Sequence, residues 1–263
     1  MTILLAGKTL ATATHWAMGC HAHGNVEIHP AHSKLMWDDI KRLILAFPLD
    51  FIAYLLLLLP VFISIYRQKF LTRNLVAVSA LFLARFLEDT VLNYYAMLNK
   101  FNLDQQRGFF IIDVILLTVI YYLSFSRKDM VTRFVLFFAF VAVSFLTLNC
   151  FFYKSLSGGS FFSRLTYIIF SLLYFNNILA ENRIKNVLKH PMFWVSAGFL
   201  FFGMGTFMTT LFTDYLLDAS KTPYATYELF MNMNQIVIWI QCILVAVGLW
   251  VSKCDKNNYI QFT

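Results

Sequence analysis

Arg85, Glu88 and Asp89 stand within one short stretch, LARFLEDTVLNYY (Leu83 to Tyr95), of a chain that is otherwise strongly apolar. On a helix, spacings of three and four residues put all three side chains on one face. A guanidinium and two carboxylates so placed can form an ion pair, hold a cation or bind a polar ligand. Near mid-membrane each charge costs about 2.5–3.5 kcal/mol, so such groups face a bundle interior or a wet cavity rather than lipid. One expectation is an intrahelical pair, in which Glu88 or Asp89 neutralises Arg85 and the other carboxylate touches a neighbouring helix. The other is a ligand or ion site joined by Asp50, Asn93 and Asp113, with Asn149, Asn232, Asn234 and Gln235 at compatible depth. Asp50, Glu88, Asp89 and Asp113 outnumber Arg85 by four to one. Crowded carboxylates in a low dielectric attract a cation or a proton, so the expected pocket takes a cationic or polar ligand.

A second cluster lies near the start of the chain, in HWAMGCHAHGNVEIHPAH. His21, His23, His29 and His32, with His15, Cys20 and Glu27 beside them, offer zinc- or copper-type ligands, although their spacing matches no established site. A divalent metal is expected to bind there weakly if at all, and no other cofactor is expected. Cys20 and Cys150 both fall on the outer side in this reading and could pair in an oxidising compartment. Free thiols are the competing expectation.

Several chemistries find no support. The last apolar run, Leu229 to Val251, has no lysine for a retinal Schiff base, and the apolar runs hold no histidine for an intramembrane zinc hydrolase. Neither a Gly-x-Ser-x-Gly elbow nor a His-Glu-x-x-His pair occurs. The chain is not expected to be an enzyme.

The elements that must position these residues follow from composition. Of 263 residues 59% are hydrophobic and 13% charged, with 29 phenylalanines. Soluble domains carry about 25% charged residues, and a chain of this size cannot hide so much apolar surface from water. The pattern predicts an all-α, polytopic membrane protein, since only helices and closed barrels satisfy their backbone in lipid. Alternating strands of the barrel type are absent. Seven apolar runs can each span, at about 20 residues per crossing: Leu43 to Tyr66, Leu75 to Leu98, Gly108 to Phe125, Phe134 to Tyr153, Phe161 to Ala180, Met192 to Phe212 and Leu229 to Val251. Pro48 and Pro60 predict a late start or a kink in the first run. Gly198, Gly203 and Gly205 in the sixth predict close helix contact.

The net charge of +7 is spread in small groups between the runs and does not suggest nucleic acid. Arg67, Lys69, Arg73, Arg127, Lys128, Arg133, Arg183, Lys185, Lys189, Lys253 and Lys256 fall on one side, against Lys100, Arg107, Lys154, Arg164 and Lys221 on the other. This asymmetry predicts an outer N-terminus and a cytoplasmic C-terminus. Residues 1–42 form a histidine-rich outer arm, 43–251 the bundle and 252–263 a short cytoplasmic tail.

The stretches LLLLLPVFISIYRQKFLTRN, ALFLARFLED and KHPMFWVSAGFLFFGMGTF resemble the seven- to eight-helix membrane modules of Bacteroidota that stand alone or precede sensor histidine kinases. The features in common are Pro60 near the end of the first run, the acidic Glu88 in the second, and Pro191 with Phe193 and Trp194 entering the sixth. The resemblance implies a signal-input module in the bacterial inner membrane. Only twelve residues follow Val251, so a protein partner is expected to carry any output. The alternatives are a structural subunit of a membrane complex and, third, a small-solute or ion transporter.

Overall fold

A computed structural model describes residues 48–97, 103–125, 129–153, 156–181, 186–212, 215 and 223–253. Among these the regular structure is entirely helical. The helices are α1 (Pro48–Leu56), α2 (Leu58–Tyr66), α3 (Arg73–Met97), α4 (Leu103–Ser124), α5 (Asp129–Leu148), α6 (Leu156–Glu181), α7 (Pro191–Leu211) and α8 (Tyr224–Val251). The histidine arm, Cys20, and the tail beyond residue 253 lie outside the described residues.

Both prolines of the first run act as their chemistry dictates. Pro48 is the first residue of α1, where its missing N–H would have no intrahelical partner anyway. Pro60 cannot donate to the carbonyl of Leu56, and its ring crowds that carbonyl. The run breaks at Leu57, so α1 and α2 form one kinked pair. Helix α6 begins five residues before the predicted Phe161. The low hydropathy of Gly158 and Gly159 hides this turn, yet Gly159 packs against Phe110 and Asn149.

Pairwise packing closes α1/α2, α3, α4, α6, α7 and α8 into a ring, with α5 on its outside against α4 and α6. The glycines of α7 work as expected: a Cβ on Gly205 would meet Val237 of α8 at 2.8 Å, and one on Gly203 would meet Ile168 of α6 at 2.9 Å. Small residues let helix axes approach where no hydrophobic gain separates protein from lipid tails.

The bundle has an apolar core, yet it also exposes large apolar side chains and buries polar ones. Phe137 and Phe140 of α5, Met204 and Met208 of α7 and Leu229 of α8 are exposed, whereas Asp113, Ser163, Thr166, Ser171, Ser196 and Gln241 are buried. Among the described residues five segments are long and apolar enough to cross a bilayer: Leu49–Tyr66, Gln105–Ser124, Met130–Phe152, Pro191–Leu211 and Glu228–Val251. Helices α3 and α6 lie outside that group. They are 25 and 26 residues long, and they are the two that carry Arg85, Glu88, Asp89 and Arg164. The protein is thus a multi-pass helical membrane protein.

Candidate functional site

In the second half of α3, Arg85, Glu88 and Asp89 line the interior of the ring, but Arg85 does not take its partner from its own helix. Its Nε donates to Asp113 Oδ1 at 3.0 Å and its Nη2 to Asp113 Oδ2 at 3.1 Å, across to α4. The expected pairing with Glu88 or Asp89 is therefore corrected: Arg85 forms its ion pair with Asp113. A carboxylate on a facing helix can present both oxygens in the guanidinium plane, and such bidentate, charge-assisted contacts are the strong ones. Carboxylates three and four residues along the same helix share its face without gaining that end-on approach.

Three more helices complete the clasp. Tyr167 of α6 accepts from Arg85 Nη2 at 2.8 Å and donates to Asp113 Oδ1 at 2.8 Å. Ser163, one turn earlier on α6, donates to Asp113 Oδ2 at 3.3 Å. Gln241 of α8 accepts from Arg85 Nη1 at 3.2 Å. The guanidinium carbon also lies 4.6 Å from the centre of the Phe202 ring of α7. Three further side chains, Tyr167, Ser163 and Gln241, thus hydrogen-bond a charge pair that is 12% exposed at Arg85 and 7% at Asp113, which is the condition for burying ions without a large penalty. Gln241, near the middle of α8, thereby joins the layer of the ion pair.

Beside the clasp lies a half-enclosed cavity of about 110 Å³. Arg85, Glu88 and Asp89 line it from α3, Gln106 and Asp113 from α4, Arg164 from α6, and Asn234 and Gln235 from α8, with Tyr54, Phe110 and Phe202 supplying rings. Arg164 was counted by sequence with the loop cations. Here it stands in the third turn of α6, its guanidinium carbon 4.3 Å from the centre of the same Phe202 ring. Its Nε has no hydrogen-bond partner among the described residues. Gln235 is 1% exposed, and neither its Nε2 nor its Oε1 has a partner. Gln106 Oε1 and Gln241 Nε2 are in the same condition. Buried polar atoms are almost always bonded, so the unbonded polar atoms of three side chains on its wall, Arg164, Gln106 and Gln235, suit this cavity to a polar occupant.

Two sequence-predicted members stand apart. Asp50 is buried in the first turn of α1 and Asn93 is half-buried near the end of α3, and neither lines the cavity. Both share a helix face with cavity residues, Asp50 with Ala53 and Tyr54 and Asn93 with Asp89, but each lies one turn beyond the lining residues of its helix. Among the described residues no group of three or more metal-ligating side chains comes together; His21, His23, His29 and His32 fall outside those residues. Cys150 is a free thiol in the π-helical turn Asn149–Tyr153 that follows α5. Arg164, Gln106, Tyr167 and Ser163 were missed, and only helical phase relative to Asp113 could have flagged them: Ser163 and Tyr167 are four apart, with Arg164 between.

Compared with known proteins, the chain matches no family model, no curated protein and no solved structure.

Proposed function

We propose that the chain is a non-catalytic, seven-span module of the bacterial inner membrane that senses a small polar solute at its outer side and passes its state to a partner protein. The observation that carries this reading is Gln235, buried and without partners, at the wall of a cavity that also exposes Arg164 and Glu88. A purely structural subunit gains nothing from such groups, since each buried unsatisfied polar group costs about 1–3 kcal/mol. Helices α3 and α6, at 1.5 Å per residue, each extend beyond the roughly 30 Å hydrocarbon core, which supports seven crossings over five. Their charges turn inward to the clasp and the cavity, so lipid meets their apolar faces. Arg67, Lys69, Arg73 and Lys253 share one end of the bundle, and the positive-inside rule makes that end cytoplasmic. The cavity sits toward the opposite end.

An apolar core between the cavity and the basic end supports a sensor over a transporter. Between the clasp and the basic end, Phe82, Leu117, Ile120, Tyr121, Phe170, Phe199 and Val245 fill the axis of the ring, all fully buried. The test is thiol labelling of Asn234→Cys, in a chain whose native cysteines are replaced by alanine. A membrane-impermeant maleimide should label it from outside intact cells. A library of amino acids, sugars, polyols and inorganic cations should contain at least one solute that slows labelling and raises the unfolding temperature. Labelling from the cytoplasmic side alone, or indifference to every solute, would overturn the proposal.

A further inference from the structure

The charge pattern of the cavity narrows the solute further, on the reading that the cavity is a solute site. Arg85 and Asp113 neutralise each other, which leaves Arg164 on the α6 wall and Glu88 and Asp89 on the α3 wall. Arg164 makes a ring contact with Phe202 but no hydrogen bond among the described residues, and its Nε is buried. Glu88 likewise makes no hydrogen bond or ion pair there, whereas Asp89 has interactions of its own. Arg164 and Glu88 line the same cavity and form no ion pair with each other.

We infer that the cavity takes a small zwitterion of the amino-acid class, its carboxylate held by Arg164 and its ammonium by Glu88. A simple anion would satisfy Arg164 but face Glu88 and Asp89 at close range. A simple cation would satisfy the carboxylates but leave the Arg164 guanidinium without a hydrogen-bonded anion. A molecule carrying both charges completes both groups, and guanidinium–carboxylate contact is the geometry that arginine serves best. Gln235, with both amide atoms unbonded, and Gln106, with its Oε1 unbonded, complete the polar wall. The volume agrees: cavities of about 150 Å³ hold a six-atom ring, so about 110 Å³ suits an amino acid with few side-chain atoms. Tyr54, Phe110 and Phe202 leave an apolar flank for its methylenes.

The experiment uses the full chain in lipid nanodiscs and calorimetric titration with glycine, alanine, serine and 4-aminobutyrate, against acetate, ethylammonium and sodium as single-charge controls. At least one zwitterion should bind saturably, with acetate and ethylammonium at least tenfold weaker. Arg164→Gln and Glu88→Gln should each weaken that zwitterion tenfold or more, and Arg164→Lys should recover part of the loss. Unfolding temperatures of all variants are measured alongside, and Arg164→Lys with Glu88→Asp replaces any variant that does not fold. If ethylammonium or sodium binds as well as the zwitterions and Arg164→Gln does not weaken it, the site is a cation site and the inference fails. If no zwitterion binds while a sugar or polyol of the library protects Asn234→Cys, the inference fails and the solute-sensing reading survives. If no solute acts in either assay, both fall.

Discussion

The Arg85 guanidinium and the Asp113 carboxylate meet edge to edge across α3 and α4, with both carboxylate oxygens engaged at 3.0 and 3.1 Å. The pair, rather than either charge, is the unit that the bundle accommodates. Removing one member strands the other in a low-dielectric interior, which typically costs about 3–5 kcal/mol. Arg85→Gln and Asp113→Asn should therefore each lower the unfolding temperature substantially, and the double change should cost clearly less than the sum. Additive losses in this cycle would show that the two groups do not interact. Glu88→Gln, which breaks no such pair, should leave the unfolding temperature near that of the parent.

Tyr167 bridges the pair through its hydroxyl while its ring packs on Phe199 and Phe202 at centroid separations of 5.3 and 5.5 Å. Tyr167→Phe keeps the ring and deletes the bridge. The expected loss is about 1–3 kcal/mol, read by thermal unfolding in detergent. A loss as large as that of Asp113→Asn would mean that the hydroxyl, not the guanidinium, is the carboxylate's main partner.

Gly248 of α8 marks the tightest backbone approach near the basic end, since a Cβ there would fall 2.8 Å from the carbonyl oxygen of Pro191. Backbone cannot swing aside as a side chain can. Gly248→Ala should destabilise by about 1–3 kcal/mol. Gly108→Ala in α4, where a Cβ meets nothing within 4 Å, should be neutral or stabilising by up to about 1 kcal/mol. Equal effects at the two positions would disprove the close packing of α7 and α8.

The orientation is checked independently of the cavity. A reporter that is active only in the cytoplasm, fused after Thr263, should be active, and one that needs the periplasm should be silent. The reverse result would place the basic end outside and the cavity on the cytoplasmic side.

The sequence by itself determined the solvent and the class of fold. Twenty-nine phenylalanines and a charged fraction of 13% leave no way to fold in water, and runs of about 20 apolar residues have one backbone solution in lipid. It also determined that Arg85, Glu88, Asp89 and Asp113 face inward, because charge on the lipid face is too costly, and that Pro60 would break the first run. Which charge meets which was decided only by tertiary structure. On α3 alone Glu88 and Asp89 are equally good neighbours for Arg85, and nothing in the chain ranks them below a carboxylate 28 residues away. The rotation of α4 about its axis brings both oxygens of Asp113 into the guanidinium plane, and that of α6 brings Ser163 and Tyr167 onto the same carboxylate. Arg164 likewise becomes a cavity residue because α6 starts earlier than hydropathy suggests and turns its third turn inward. Helical phase between neighbours is set by packing contacts far along the chain, such as Gly203 against Ile168, and short-range periodicity carries no record of it.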